Sequence, residues 1–478
     1  VFEGCDNITT LVIGNGLTTL NNQFSGKTKL ANVTLGNGFR ELNGTFSGCA
    51  ALEHITLPDS LKTIGSNTFS GCVSLKEIIF PEKLKTINPD AFYGCSSLDS
   101  IAFPDSLTYL DSRIFGNCEK LRIVNMGKGV NSIHSYNNVF ENCPNIEKVY
   151  FSPKLTTIPA LFNGKTNLTT VILGDSVKTI GGSAFAGCAQ LSSINIPNTA
   201  TTIEDYAFNG CAGLTDIKLP DSLRALGAYS FTGAGLESIT IPNKLKTLRE
   251  RTFASCPNLK TVVLGDSLES IVADYSATFY ETPNITTVKF GKGMKEINNA
   301  FGGQANLTTV VLGDSIKVIG NSAFNGCAAL KSINIPNTAR TIGDYAFAGC
   351  TALTNITLPD SLQTLGGYAF SGAGLTNITI PNKVKELRER TFASCPNLTT
   401  VVLGDSLKTI VSDYSGAFRD TPNITSVTFG NGIEEINSAF SGQTKLTKVI
   451  LGKKVKTIGN NAFSGCTSCL LYTSDAAD

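Results

Sequence analysis

Catalysis, metal binding and redox chemistry each need a few reactive side chains at a working spacing, and this chain of 478 residues has four sets to consider. Histidine is the usual proton shuttle near neutral pH, but only His54 and His134 are present. His54 falls on an outward strand position and His134 opens an insertion. Neither has an assignable partner, and both read as solvated. Asp-Ser pairs recur at Asp59, Asp105, Asp175, Asp221, Asp314 and Asp405. A nucleophile with its acid would not be copied along a chain, whereas Asp and Ser favour turns because they hydrogen-bond nearby backbone. Arg249-Glu250-Arg251 and Arg388-Glu389-Arg390 are charge clusters that read as a solvated face. No glycine-rich phosphate loop, HExxH or EF-hand pattern occurs. The sequence therefore predicts no catalytic residue, no metal site and no cofactor.

Cysteine is the fourth set. Fourteen cysteines resemble a disulfide framework until they are placed. Thirteen of them, from Cys5 and Cys49 to Cys395 and Cys466, stand three residues after a phenylalanine; Cys469 is the remaining one. Other copies of that position hold Lys27, Ala234, Thr282 or Gln304, which an obligate half-cystine would not allow. Cysteine often packs as a small buried hydrophobe, so a column of free thiols is expected. The CxxC pair Cys466-Thr-Ser-Cys469 is no evidence for zinc, because its second cysteine lies outside the repeat.

The phenylalanines explain this placement. Twenty-one of them, from Phe2, Phe24 and Phe46 to Phe440 and Phe463, recur every 22 to 26 residues. A period of that size marks a solenoid, in which each coil buries its face against its neighbours. The other six phenylalanines also fit the frame: Phe80, Phe103, Phe151, Phe290 and Phe429 replace an inward strand residue, and Phe39 the Leu that follows. The whole set is therefore core.

The coil has a legible anatomy. In Leu353–Gly374, Ile356 and Leu358 alternate with Asn355 and Thr357, the period-2 pattern of a half-buried strand. Pro359 ends that strand because it cannot donate to a ladder; Gly174, Gly265 and Gly404 do the same elsewhere. Leu362 and Leu365 predict a second short strand, and Ala369-Phe370 a tight helical or 3₁₀ turn. The expected fold is a solenoid of 21 coils, with a parallel β-sheet on one face, short strands and turns elsewhere, and little α-helix.

A longer period lies over the short one. From Phe140 the spacings run 22, 23, 23, 23, 22, 26, and they repeat from Phe279. Six coils thus make a super-unit, with starts near Phe2, Phe140, Phe279 and Phe418. The long coil of each carries an insertion holding Tyr136, Tyr275 or Tyr414, the latter two beside Asp274 and Asp413. Insertions of this kind map to one edge of a solenoid, so these five residues are one candidate binding set. The second is the outward strand face, neutral and rich in Thr, Ser and Asn, on which Lys148, Tyr150, Asp216, Lys218, Thr287, Lys289, Asn355 and Thr357 are the candidates.

The remaining signals are exclusions. Thirty-nine basic residues balance thirty-eight acidic ones, which leaves no electrostatic footprint for nucleic acid. No apolar run is long enough to span a membrane. Ten Asn-x-Thr sequons, such as Asn355-Ile-Thr, read as by-products of the repeat. Residues 1–468 are expected to be one uninterrupted solenoid truncated at both ends. The tail Cys469–Asp478 leaves the frame and reads as the translation of a sequencing adapter.

The repeat L-x-x-I-x-I-P-x-x-L-x-x-I-G-x-x-A-F-x-G-C, clear at 191–211, 330–350 and 353–374, resembles the BspA-like leucine-rich repeat over essentially residues 1–468. The resemblance implies a right-handed parallel solenoid, a cell-surface or secreted location, and adhesion to extracellular-matrix proteins, microbial surface proteins or glycans. It implies no catalytic residue. A passive spacer presenting another domain is the alternative.

Overall fold

The computed structural model describes residues 2–134, 138–273, 277–412 and 416–472. They form two compact units, Val1–Leu236 and Glu237–Asp478. Each unit is a parallel β-solenoid. A typical coil supplies a first strand such as Thr400–Val402 and a second such as Thr409–Ile410. Each first strand pairs with its counterpart one coil away, in register: Thr400 with Ser426, Val401 with Val427, Val402 with Thr428. The inward residues Val401, Val427 and Val449 are wholly buried, and β-branched side chains suit this pleated surface. The last described strand, Leu470–Tyr472, pairs with Lys448–Ile450 and carries the ladder past Cys469.

The first-strand ladder is interrupted, and every interruption touches a segment that ends in proline. Segments 193–196 and 216–219 each run into a proline, as do 332–335 and 355–358, and these neighbours form no ladder with each other. The same holds at 77–80, between His54–Thr56 and Ser100–Ala102. Proline has no N–H to donate, and it restricts the residue before it. A proline-ended strand does pair where the following coil ends in glycine, as Asn377–Thr379 does with Thr400–Val402, but 193–196 and 332–335 form no ladder with the glycine-ended Thr170–Ile172 and Thr309–Val311 that precede them. The unpaired segments keep their alternation: Ile194 and Ile196 are buried while Ser193 and Asn195 are exposed.

The phenylalanine ladder is the spine of each unit. Phe347 stacks on Phe370 at 5.3 Å between ring centroids, and Phe370 on Phe392 at 5.5 Å. In the first unit, Phe69, Phe92 and Phe115 follow at 5.1 and 5.2 Å. Nearly all of these rings are fully buried. The expected 3₁₀ turn forms at Asn299–Phe301 and Ser438–Phe440. Elsewhere the same segment is a turn bonded outward, to the next coil. The Phe347 N–H donates to the Ala369 carbonyl at 2.7 Å and the Gly349 N–H to Ser371 at 2.8 Å. Two left-handed residues make that bend possible, one two residues before the phenylalanine and one two residues after. In this coil they are Tyr345 at φ 58° and Gly349 at φ 70°.

The cysteines complete the stitching. All fourteen are free thiols. The Cys350 thiol donates to the carbonyl of Phe324 one coil back at 3.3 Å, Cys395 to Phe370 at 3.1 Å, and Cys72 to Phe46 at 3.2 Å. Where the residue changes, a donor is often kept. Thr421 donates to Phe392 at 2.8 Å, Thr282 to Phe253 at 3.0 Å, and the buried Lys165 ammonium to Phe140 at 2.9 Å. The position thus wants a small or flexible donor that satisfies a buried carbonyl, which explains why Cys, Thr and Lys alternate there. Cys350→Val keeps the bulk and removes the donor, so it should cost about 1 kcal/mol in chemical denaturation, whereas Cys350→Thr should stay within about 0.5 kcal/mol of wild type.

Candidate functional site

The strand-face candidates all point outward. Tyr150 is 39% exposed, with Ile172, 51% exposed, beside it in register and Asn125 on its other side. Lys148 lies between Ile123 and Thr170. Lys289 is flanked by Val263 and Val311, and the half-buried Thr287 by Thr261 and Thr309. These four residues therefore stand on continuous sheet. Asp216, Lys218, Asn355 and Thr357 are exposed as well, but they sit on the proline-interrupted segments that carry no ladder. Two candidate groups thus occupy paired sheet and two occupy unpaired backbone. The insertion-edge set, Tyr136, Tyr275, Tyr414, Asp274 and Asp413, lies outside the described residues.

His54 is better connected than the sequence indicates. Its Nδ1 lies 3.2 Å from a Glu77 carboxylate oxygen, and Lys76 Nζ bonds Glu53 at 2.7 Å beside it. All four side chains are more than half exposed, so the cluster contributes little to stability. Among the described residues, no group of three or more His, Cys, Asp or Glu is placed to hold a metal ion, and no helix is long and apolar enough to cross a membrane.

One surface feature escaped the sequence reading. The left-handed position two residues before the ladder phenylalanine stacks from coil to coil. In the second unit it holds Ser322, Tyr345, Tyr368 and Arg390 in successive coils, with φ between 47° and 58°. The rings of Tyr345 and Tyr368 stack at 4.6 Å and 15°. The Arg390 guanidinium sits 5.8 Å from the Tyr368 ring centre, within cation–π range. In the first unit Ser183, Tyr206 and Tyr229 repeat the order, with the rings 4.9 Å apart at 10°. Arg251, in the second unit, lies 4.4 Å from the Tyr280 ring centre. Arg251 and Arg390 are thus half-buried partners of aromatic rings rather than members of a plain solvated face.

Local chemistry holds the column in place. The Asp344 carboxylate accepts the Gly367 N–H at 2.8 Å, and Asp205 accepts that of Ala228 at 2.8 Å. Packing in the column, the Tyr368 phenol and the charges of Asp344 and Glu389 push the Tyr345 phenol above its ordinary range. A bulky side chain at positive φ carries backbone strain of about 1 kcal/mol, which Asn relieves in part and Gly entirely. Other coils follow that preference, with Asn22 and Asn67 at the same position. The sequence signal was present in Asp344-Tyr345-Ala-Phe347 and Gly367-Tyr368-Ala-Phe370, where Tyr occurs at one offset in adjacent coils.

Comparison with known proteins agrees with this architecture. The matching family description is the BspA type leucine rich repeat region (6 copies), over residues 1–95, 42–161, 159–277, 275–399 and 412–471. Among solved structures, a leucine-rich repeat protein from Bacteroides ovatus is 28% identical over 84% of this chain and 91% of its own, with a TM-score of 0.43. A leucine rich cell surface protein from Faecalibacterium prausnitzii is 18% identical over 98% of this chain and 89% of its own, with a TM-score of 0.23. The pneumococcal vaccine antigen PcpA is 14% identical over 96% and 90%, with a TM-score of 0.30. Among curated proteins, none matches. The repeat, the parallel solenoid and the family match over most of its length together make this chain a member of the BspA-type leucine-rich-repeat family.

Proposed function

We propose that the protein is a non-enzymatic interaction scaffold of the cell surface or secreted space, an adhesin that engages a protein partner by repeated contact along its strand face. Leucine-rich-repeat folds generally mediate protein interactions, and the surface location is carried over from the family. The observation that supports this reading most is the pairing of outward side chains in register. Tyr150 beside Ile172, and Lys289 between Val263 and Val311, offer an apolar or mixed contact at each coil step of about 4.8 Å. Tyrosine is the residue type most suited to anchor such a contact, and repetition along the chain raises avidity without new chemistry. The insertion edge remains part of the proposed surface.

Binding of the full chain to coatings of laminin, type IV collagen and mucin tests the proposal. Saturable binding to at least one coating is expected. Tyr150→Ser with Ile172→Ser should weaken it by about tenfold, near 1.4 kcal/mol, without moving the melting temperature. A chain that binds none of the coatings would favour a passive spacer.

A further inference from the structure

Tyrosine at a left-handed backbone position is a poor choice for a turn, yet two tyrosine pairs in equivalent coils make it. An unusual backbone residue of this kind points to function when it recurs at one surface site. The column also has a defined end. Tyr345 covers Tyr368, and the coil before it holds only Ser322, so the outer face of the Tyr345 ring is uncovered and the residue is 41% exposed. Tyr206, 43% exposed, ends its own column in the same way beside Ser183. Polar groups stand on the coil that precedes each open face. Ser322 and Asn321 belong to the coil before Tyr345, where the Asn321 side chain accepts the Asp344 N–H at 2.8 Å, whereas the Asp344 carboxylate turns to the following coil and accepts the Gly367 N–H. Ser183 belongs to the coil before Tyr206, and the Glu204 carboxylate reaches back to accept the Gly182 N–H of that coil at 2.8 Å.

We infer that Tyr206 and Tyr345 are two equivalent platforms for a neutral pyranose ring of a glycan. The C–H hydrogens on one face of a pyranose carry partial positive charge and match the negative face of an aromatic ring. The sugar's hydroxyls then reach the serine, asparagine and carboxylate groups at the rim. A flat apolar protein surface laid over the same ring would strip water from those polar groups and leave them unpaired, which favours the sugar. Stacking on Tyr229 and Tyr368 fixes the platform rings before the ligand arrives, which lowers the entropy lost on binding. The inference rests on the interaction-scaffold reading and adds a second surface with its own ligand class.

The test uses the full chain and a panel of neutral hexasaccharides of glucose, mannose, N-acetylglucosamine and N-acetyllactosamine units. The chain has 12 Tyr and no Trp, so its intrinsic emission is that of tyrosine. A saturable change in that emission, together with saturation transfer to the sugar in NMR, is expected for at least one probe. Tyr206→Asn with Tyr345→Asn removes both platforms with a residue that suits the backbone. It should weaken binding by about tenfold or more, whereas Tyr206→Phe with Tyr345→Phe should retain it. The inference is overturned by unchanged binding in the asparagine pair, by equal loss in the phenylalanine pair, or by no binding of any probe at about 5 mM sugar. Protein coatings that still bind while every glycan fails would sink this inference and leave the strand-face proposal standing.

Discussion

Replacing Phe347 with Ala is expected to lower the stability of the second unit by about 4 kcal/mol, within the range for a fully buried Phe→Ala change. The ring is wholly buried and lies between Phe324 at 5.6 Å and Phe370 at 5.3 Å. Its removal leaves a void shared by three coils, and the backbone around it is pinned by inter-coil hydrogen bonds, so collapse into the void is resisted. In a repeat protein, stability is close to a sum of nearest-neighbour terms, and this substitution weakens two interfaces together. Tyr345→Asn, two residues away, supplies the contrast. It removes an exposed ring and relieves a left-handed tyrosine, so it should change stability by less than about 0.5 kcal/mol. Urea unfolding followed by circular dichroism measures both. A loss of less than about 1.5 kcal/mol for Phe347→Ala would show that the ladder is not the principal support of the fold.

Alkaline pH is expected to unfold the protein through its thiols. Burial pushes Cys95, Cys188, Cys327 and Cys395 up to about 12, from an ordinary value of 9.0. Below pH 9 these groups are protonated in both folded and unfolded chains, and their stabilising contribution is fully present. Above it the unfolded chain releases protons that the folded chain keeps. Stability then falls by about 1.4 kcal/mol per pH unit for each thiol, until the folded values are reached near pH 12. Four thiols acting together would make the decline steep between pH 9 and 11. Replacing all four with Thr keeps a hydroxyl donor for the carbonyl of the preceding coil, as Thr282 and Thr421 do, and removes their share of the titration, while burial still holds Cys49, Cys72, Cys211 and Cys350 above the ordinary range. The Thr variant should keep its melting temperature at pH 7 and lose less of it at pH 10.5 than the wild type. Equal losses in both proteins would contradict a neutral, hydrogen-bonded thiol column.

The sequence and the structure agree most where a feature repeats once per coil. Phe347, Cys350, Ile333 and Leu353 each recur at a fixed offset, so the period revealed the ladder, the thiol column and both strands. What the period could not reveal was anything decided between coils. Pro359 is visible in the sequence, but its effect on pairing depends on whether the next coil also ends in proline. The thiol of Cys350 is visible too, but the Phe324 carbonyl it bonds belongs to the coil before. Tyr345 and Tyr368 are hidden for the same reason. Each is an ordinary exposed residue within its own repeat, and they become a stacked pair only when the coils are laid in register. The tyrosines of the insertions, which break the period, are the ones that stand out in the sequence.

Binding at graded ligand density tests the central claim, that the protein works by repeated contact along its surface. The full chain would be passed over laminin, type IV collagen or mucin coated at low to high density, with the one-to-one affinity measured separately in solution. Multivalent contact predicts that the apparent dissociation rate slows with density, by about tenfold to a hundredfold across the range. It also predicts a weak solution affinity, in the micromolar region or above. Dissociation that stays constant at every density and matches a tight solution affinity would contradict the account and place recognition in one local site.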